Sequence, residues 1–341
     1  MQVDKVFYFL QPGSVQAISL VRILKQGNSC QIIAVLLENE KLSKAIQNLY
    51  SDVITVKSYA DLSSALTLVP FGAASTEALL KKRDIVLSDV VMQQAALSVY
   101  DKELFIAFCQ AHNLPVPQTY LSVDQFGLND FPVFYKQKYE AGGGLRGIAY
   151  SKADLPKAEQ DSLIYQEFID TQGTYGVGFI AKEGVLEVHF SHFESLSYPV
   201  SGGSAIKITA YTSARLIELT EQYIAASNYS GWGLAEFKWC EKRQDFVFME
   251  INAKFWASCE FSFRNEPAFI KQLFAIQTEQ ETIDSMVFIN RAFNAGFMTG
   301  LKCLFAKPRI RKVFYPGLLR AVIYGLLSDS ARVKIKKMLA K

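Results

Sequence analysis

The chain is sparing with the residues that carry much familiar chemistry. Five cysteines among 341 residues stand far apart, at Cys30, Cys109, Cys240, Cys259 and Cys303, with no C-x-x-C pair. Neither a zinc knuckle nor a disulfide framework is indicated, and a reducing cytoplasm suits them. Of three histidines, His189 and His192 form an H-x-x-H, but three residues apart on a strand they face opposite ways and make no metal pair. No Ser-centred elbow, kinase catalytic loop or H-E-x-x-H occurs, which leaves hydrolase readings without support. The opening MQVDKVFYFLQPGS lacks the basic start, long apolar stretch and small-residue cleavage site of a signal peptide. No stretch reaches the roughly 20 uncharged apolar residues that span a bilayer. The expectation is a cytoplasmic protein, at most peripheral at the inner face of the membrane.

Charge is scarce too, at 20% of residues, against 50% hydrophobic and 13% aromatic. A compact fold is favoured over disorder, and the length suits about two domains at roughly 150 residues each. The net charge of +3 hides an uneven distribution: Lys302 to Lys341 holds eleven Lys or Arg and one acid, Asp329. The basic character therefore belongs to the end of the chain, and nothing points to a nucleic-acid partner.

Short apolar runs, KVFYFL, QIIAVLL and DVITV, read as buried strands, with a helix from Val15 to Lys25 between the first two. This β-α-β rhythm predicts a small parallel α/β unit. Its QPGS turn has only Gly13 and lacks G-x-G-x-x-G, so it reads as scaffold. A helix over 101–112 precedes LPVPQTYL, where two prolines break helicity. From Phe131 onward, FPVFYKQKY, GGGLRGIAYS, SLIYQEFI, YGVGFIA and VLEVHFS read as strands joined by turns. A helix over 213–227 then leads to GLAEFKW and FVFMEIN. This half is predicted to be α+β and largely antiparallel. Beyond about residue 275 the pattern is helical and basic, without a strand signal.

The stretch GLAEFKWCEKRQDFVFMEIN reads as a hairpin with a polar turn. If the turn centres on Arg243, Glu236 faces Glu250 and shares its side of the sheet with Asn252. Opposed carboxylates repel, and a hard divalent cation offsets this, magnesium favouring a few oxygen ligands plus water and phosphate. An exposed amphipathic hairpin, with Glu236 paired to Lys238 or Lys254, is the other reading. Upstream, Lys136 on a strand precedes Gly142, Gly143, Gly144 and Gly147. Glycines let backbone amides approach phosphate oxygens, and a lysine beside them is a suitable point charge. A flexible hairpin tip is the alternative.

In this order the pieces resemble the ATP-grasp superfamily from about residue 3 to 262, most nearly the branch of carboxylate-amine ligases linked to cell-surface polysaccharide genes. YDKELFIAFCQAHNLPVPQTYL resembles the opening helix and its G-I-P-x-P-x-T end. LIYQEFI resembles the adenine hinge, GTYGVGFI the strand after it, and YPVSGGS the P-x-S-G-G-x-S turn. FMEINAKFWAS resembles the metal strand M-E-I-N-P-R-F-W-G-S. The resemblance implies an α/β pre-ATP-grasp domain at 1–95 and an α+β ATP-grasp domain at 96–275, divided near 172. A helical basic extension would occupy 276–341. It implies ATP and Mg2+, with Mn2+ as a substitute. Lys102, Lys136, Gly142, Gly143 and Gly144 would hold the phosphates, and Glu167, Phe168 and Ile169 the adenine. Glu236, Glu250 and Asn252 would hold the metal, with Lys136 and Lys254 as catalytic cations. The activity implied is transfer of a phosphoryl group to a carboxylate, followed by attack of an amine. The sequence departs from the family at Thr174, in place of a ribose-binding acid, and at Lys254, in place of arginine. Phe193 and Glu194 replace a basic pair. These departures leave open a nucleotide-binding regulatory protein without turnover, or a small-molecule kinase. The basic amphipathic end, FYPGLLRAVIYGLLS and ARVKIKKMLAK, suits either contact with an anionic membrane or packing on the core.

Overall fold

The computed structural model describes residues 5–26, 30–139, 144–198, 203–307, 310–327 and 331–332. The expected Gly142 and Gly143, most of the YPVSGGS turn and nearly all of ARVKIKKMLAK lie outside these.

The first unit follows from its buried apolar runs. Strands Asp52–Val56, Cys30–Leu37, Lys5–Leu10 and Leu68–Pro70 form, in that order, a four-stranded parallel sheet. The QPGS turn is a helix start: Ser14 is the N-cap of Val15–Leu24, its hydroxyl accepting from the Ala17 amide. The ends of Lys5–Leu10 and Leu68–Pro70 bring Gln11 and Gly72 to the rim of a large cleft, the edge at which parallel sheets commonly receive ligands.

Helix Lys102–Ala111 starts at Asp101, whose side chain accepts from the Glu103 and Leu104 amides. It leads to an antiparallel sheet of Thr119–Tyr120, Leu163–Glu167, Val133–Gln137 and Arg146–Ala149. This sheet encloses its own core, including Tyr120, Phe126, Val133, Leu163 and Tyr165. A seven-stranded sheet follows in the order Asp245–Asn252, Gly231–Cys240, Thr174–Lys182, Val185–Tyr198, Ser204–Ala210, Ser285–Phe288 and Ile310–Val313. All its pairs are antiparallel except the last. The mixed α and β content agrees with the sequence reading.

One expectation is corrected. Residues beyond 275 were expected to be helical and strand-free, yet Ser285–Phe288 and Ile310–Val313 extend the large sheet. Each strand has only four residues, SMVF and IRKV, and neither alternates cleanly. Their pairing to Ser204–Ala210 and to each other decides their conformation, outweighing the weak local pattern. Helices Ile289–Ala295, Phe297–Leu304 and Leu318–Leu326 are the helices of this region among the described residues.

Candidate functional site

Glu236 and Glu250 are direct partners across the Gly231–Cys240/Asp245–Asn252 hairpin, the expected pair, although the turn itself, where Cys240 meets Asp245, centres between Lys242 and Arg243 and not on Arg243. Pairing slips by one residue beyond Glu236: Phe237 meets Phe248, which makes Met249 the extra residue of a bulge. The carbonyl of Met249 accepts a hydrogen bond from Lys136 Nζ at 3.3 Å, and the same ammonium lies 3.6 Å from Glu250 Oε2. The bulge thus turns a backbone acceptor toward a lysine from the facing sheet. Asn252 Nδ2 donates to Glu236 Oε2 at 2.9 Å and to Glu250 Oε1 at 3.3 Å.

These residues form one wall of a cleft of about 650 Å³. Lys102, Lys136, Arg146, Lys238, Lys254 and Arg291 line it, against the carboxylates Glu194, Glu236 and Glu250. Cations exceed carboxylates, the balance that a polyanionic ligand requires. The ammoniums of Lys102 and Lys136 belong to residues that are themselves buried, so their charge acts through little water.

Three departures in protonation follow. Burial, then Glu250 and Glu194, push the Glu236 carboxyl well above its ordinary range. Burial also presses Glu250 upward, but Lys136, Lys102 and Lys254 outweigh it and hold that carboxyl below its ordinary range. Lys136 is lowered, chiefly by burial, with Glu250 opposing. The pair therefore shares a single stable negative charge, as opposed carboxylates do.

Whether a divalent cation fits is decided by the donor set. Two carboxylates and an amide supply hard oxygen donors of the kind magnesium takes. The Asn252 amide N–H groups now bridge the carboxylates, where positive charge is wanted; turned over, the same amide presents oxygen. Among the described residues no three or more His, Cys, Asp and Glu side chains converge. A cation here would have few protein ligands and keep room for water and phosphate, as magnesium does. The residues fit the ion.

Other expected residues are distributed around this centre. Lys254, Gly144 and Thr174 line the cleft. Glu167 ends strand Leu163–Glu167; its carboxylate accepts from the Gln118 amide and pairs with Arg243. Glu167, Phe168 and Ile169 are not among the residues that line the cleft; Ile169 packs in a small cluster with Cys240, Val247 and Met249, of which Met249 lines it. His192 is fully buried, its Nε2 3.4 Å from Ser258 Oγ and 3.5 Å from Glu194 Oε1, whereas His189 is exposed. The two face opposite sides, as their spacing predicts.

Sequence reasoning missed Arg146 and Arg291 and named Lys238 only as a surface partner of Glu236. Lys238 stands two residues from Glu236 on the same strand, a signal that alternation offered; its Nζ donates to the Gly173 carbonyl at 3.1 Å. Arg291, from helix Ile289–Ala295, had no local signal. It donates to the carbonyls of Ala205 at 2.8 Å and Ala257 at 3.1 Å and lies 4.1 Å over the Phe288 ring. These contacts fix a guanidinium at the cleft end bounded by Gly203, Ser204 and Ser258.

A parallel α/β unit, a small antiparallel sheet and a large sheet meet at a cleft of lysines and paired carboxylates, the arrangement expected from the ATP-grasp resemblance. No family model and no curated protein matches the chain by sequence; solved structures do match by shape. Pyruvate carboxylase from Rhizobium etli aligns with a TM-score of 0.60 at 16% identity, over 76% of this chain and 27% of that one. N5-carboxyaminoimidazole synthase from Aspergillus clavatus, in complex with ADP and 5-aminoimidazole ribonucleotide, aligns at 0.60 and 13%, over 82% and 79%. The biotin carboxylase domain of 2-oxoglutarate carboxylase from Hydrogenobacter thermophilus, in complex with MgADP, ADP and bicarbonate, aligns at 0.57 and 13%, over 73% and 64%. The chain thus spans about a quarter of the first protein.

Proposed function

We propose that this chain is an ATP-dependent carboxylate-amine ligase. The observation that carries the reading is the facing of Glu236, Glu250 and Asn252 with Lys102, Lys136 and Lys254 in one cleft. The nucleotide complexes of two of the similar structures support ATP as the ligand. Magnesium, or manganese in its place, would be held by Glu236, Glu250 and Asn252 and would neutralise phosphate charge.

In this reading Lys102 and Lys136 bind the phosphates, with Gly144 beside them in the cleft lining, and the backbone of Glu167–Ile169 takes the adenine edge. A carboxylate oxygen of the substrate attacks the terminal phosphorus, the bond to the bridging oxygen breaks, and ADP leaves. Lys254 steadies the transferring group as a point charge. An amine then attacks the acyl carbon of the acyl phosphate, phosphate departs and the nitrogen loses a proton. Exclusion of water by the closed cleft protects the acyl phosphate. The fixed guanidinium of Arg291 anchors an anionic end of the acceptor. Residues 1–95 serve as the pre-ATP-grasp unit and 96–275 as the ATP-grasp unit, whose large sheet also takes in Ser285–Phe288 and Ile310–Val313. The YPVSGGS stretch supports the polysaccharide-associated branch, hence decoration of a glycan or related metabolite by an amino acid in the cytoplasm.

The test is release of ADP and phosphate with panels of carboxylates and amines, with mass spectrometry for the amide. Glu250→Gln keeps the shape and removes a metal ligand; it should lower turnover at least about 100-fold, in line with about 2.7 kcal/mol for a strong electrostatic stabiliser. Turnover close to wild type would defeat the metal assignment. Lys254 and Thr174 favour a second reading, a nucleotide-binding regulator. Nucleotide binding without ADP release under every pairing would select it, and a stable phosphorylated product without amide would mark a kinase.

A further inference from the structure

Two helices near the end of the described chain turn large apolar side chains outward. Helices Phe297–Leu304 and Leu318–Leu326 seat on helix Ile289–Ala295. Glycines set their orientation: a Cβ on Gly300 would stand 2.2 Å from Phe293 Cδ1, and one on Gly325 2.5 Å from the Phe293 carbonyl oxygen. With Gly325 and Ala321 facing inward, the opposite face of Leu318–Leu326 presents Leu319, Ile323 and Leu326, which are 73%, 53% and 61% exposed. Their spacing of four and three residues is one continuous stripe, which a surface helix ordinarily buries. On the neighbouring helix and just after it, Met298 is 64% and Phe305 80% exposed. A cluster of this kind marks a surface that meets a partner.

Charge identifies the partner. Lys302, Lys307 and Arg320 are exposed in the same region, and no Asp or Glu occurs between Asp284 and Asp329. The segment 331–341 is basic as well, so it would cover this face against charge repulsion. A second copy packed about a two-fold axis would bring the same cations together. Arg332 is spoken for: it donates to the carbonyls of Tyr324, Gly325 and Ala295. None of the helices among the described residues is long and apolar enough to cross a membrane, so the contact lies on a surface. We propose that this face docks on an anionic lipid bilayer, with Leu319, Ile323, Leu326 and Phe305 at the acyl boundary and Lys302, Lys307 and Arg320 among the phosphates. Apolar insertion and basic charge act together in such contacts, each nearby cation strengthening binding about fivefold.

The experiment is flotation of the full chain with vesicles of phosphatidylcholine alone and with about equal phosphatidylglycerol, at low and high salt. Two variants keep the sheet intact because they change only exposed side chains. One carries Leu319→Ser, Ile323→Ser and Leu326→Ser; the other carries Lys302→Glu, Lys307→Glu and Arg320→Glu. Wild type should float with the anionic vesicles and lose binding at high salt, and each variant should bind at least about tenfold more weakly at an unchanged melting temperature. Wild type left in the soluble fraction at low salt would overturn the proposal. So would a serine variant that floats like wild type, or a wild-type dimer in sedimentation that the serine variant abolishes. Because ADP release is measured separately, failure here leaves the ligase reading standing.

Discussion

At the scale of single residues, the paired carboxylates carry opposite pH signatures. The folded protein raises Glu236 above its usual 4.5, chiefly by burial and then by Glu250 and Glu194. The native state then binds more protons than the unfolded one, and its contribution to stability falls as pH rises from 4.5 through the raised value. Glu250, lowered against burial by Lys136 and Lys102, contributes stability above 4.5 that is lost as pH falls through its lowered value. In metal-free protein, Glu236→Gln should therefore raise the melting temperature increasingly above pH 4.5 and cancel the stabilisation that Mg2+ gives wild type. Melting curves across pH, with and without Mg2+, check this; an equal Mg2+ effect in the variant would remove Glu236 from the ligand set. The hairpin that carries Glu236 and Glu250 was legible from a polar turn between two apolar runs, but their exact pairing follows from the bulge, because the turn centres half a residue before Arg243. The bulge at Met249 was not, since one extra residue leaves no mark in the composition of a strand. Arg291 was equally hidden, its place depending on a helix packed far from the hairpin in sequence.

The elements show where local pattern suffices and where it does not. Lys5–Leu10 and Cys30–Leu37 were readable from continuous apolar runs and Gly231–Cys240 from its hairpin pattern, whereas Ser285–Phe288 and Ile310–Val313 are too short to outvote the helical residues around them. Their neighbourhood is held by a polar network, buried at Glu260 and Arg264 and half-buried at Glu281 and Arg311, that also leaves no local trace. Arg264 Nε donates to Glu260 Oε1 at 2.9 Å and pairs with Glu281, which in turn pairs with Arg311. Glu260 Oε2 accepts from Ser19 of helix Val15–Leu24 at 2.8 Å, and Ser19 meets the Tyr315 hydroxyl at 3.0 Å. One carboxylate thus links a helix of the first unit to helix Cys259–Asn265 and, through Arg264, to the last strand. Removing one member of a buried pair strands its partner, so Glu260→Ala should cost about 3–5 kcal/mol of unfolding free energy in urea, and Glu260→Gln less. A loss under about 1 kcal/mol would show that water takes over the contacts of Arg264.

On the scale of the whole molecule, the order of the pieces was readable and their association was not. The large core runs continuously from Phe7 to Ile276, while the sheet of Val133–Gln137 and Leu163–Glu167 keeps much of its core to itself. A part with its own core can move against the rest. Binding of a non-hydrolysable ATP analogue with Mg2+ should therefore slow amide exchange in Val133–Gln137 and Arg146–Ala149 more than in Cys30–Leu37. Equal slowing everywhere would argue for a rigid cleft. The joining of Ser285–Phe288 to Ser204–Ala210 also has a practical side. A shortened protein that stops before Ser285, made to shed the basic end, would leave Ser204–Ala210 with unpaired N–H and C=O groups along an open flank. Open flanks recruit strands from other chains, so trimming for convenience would make the protein prone to aggregate.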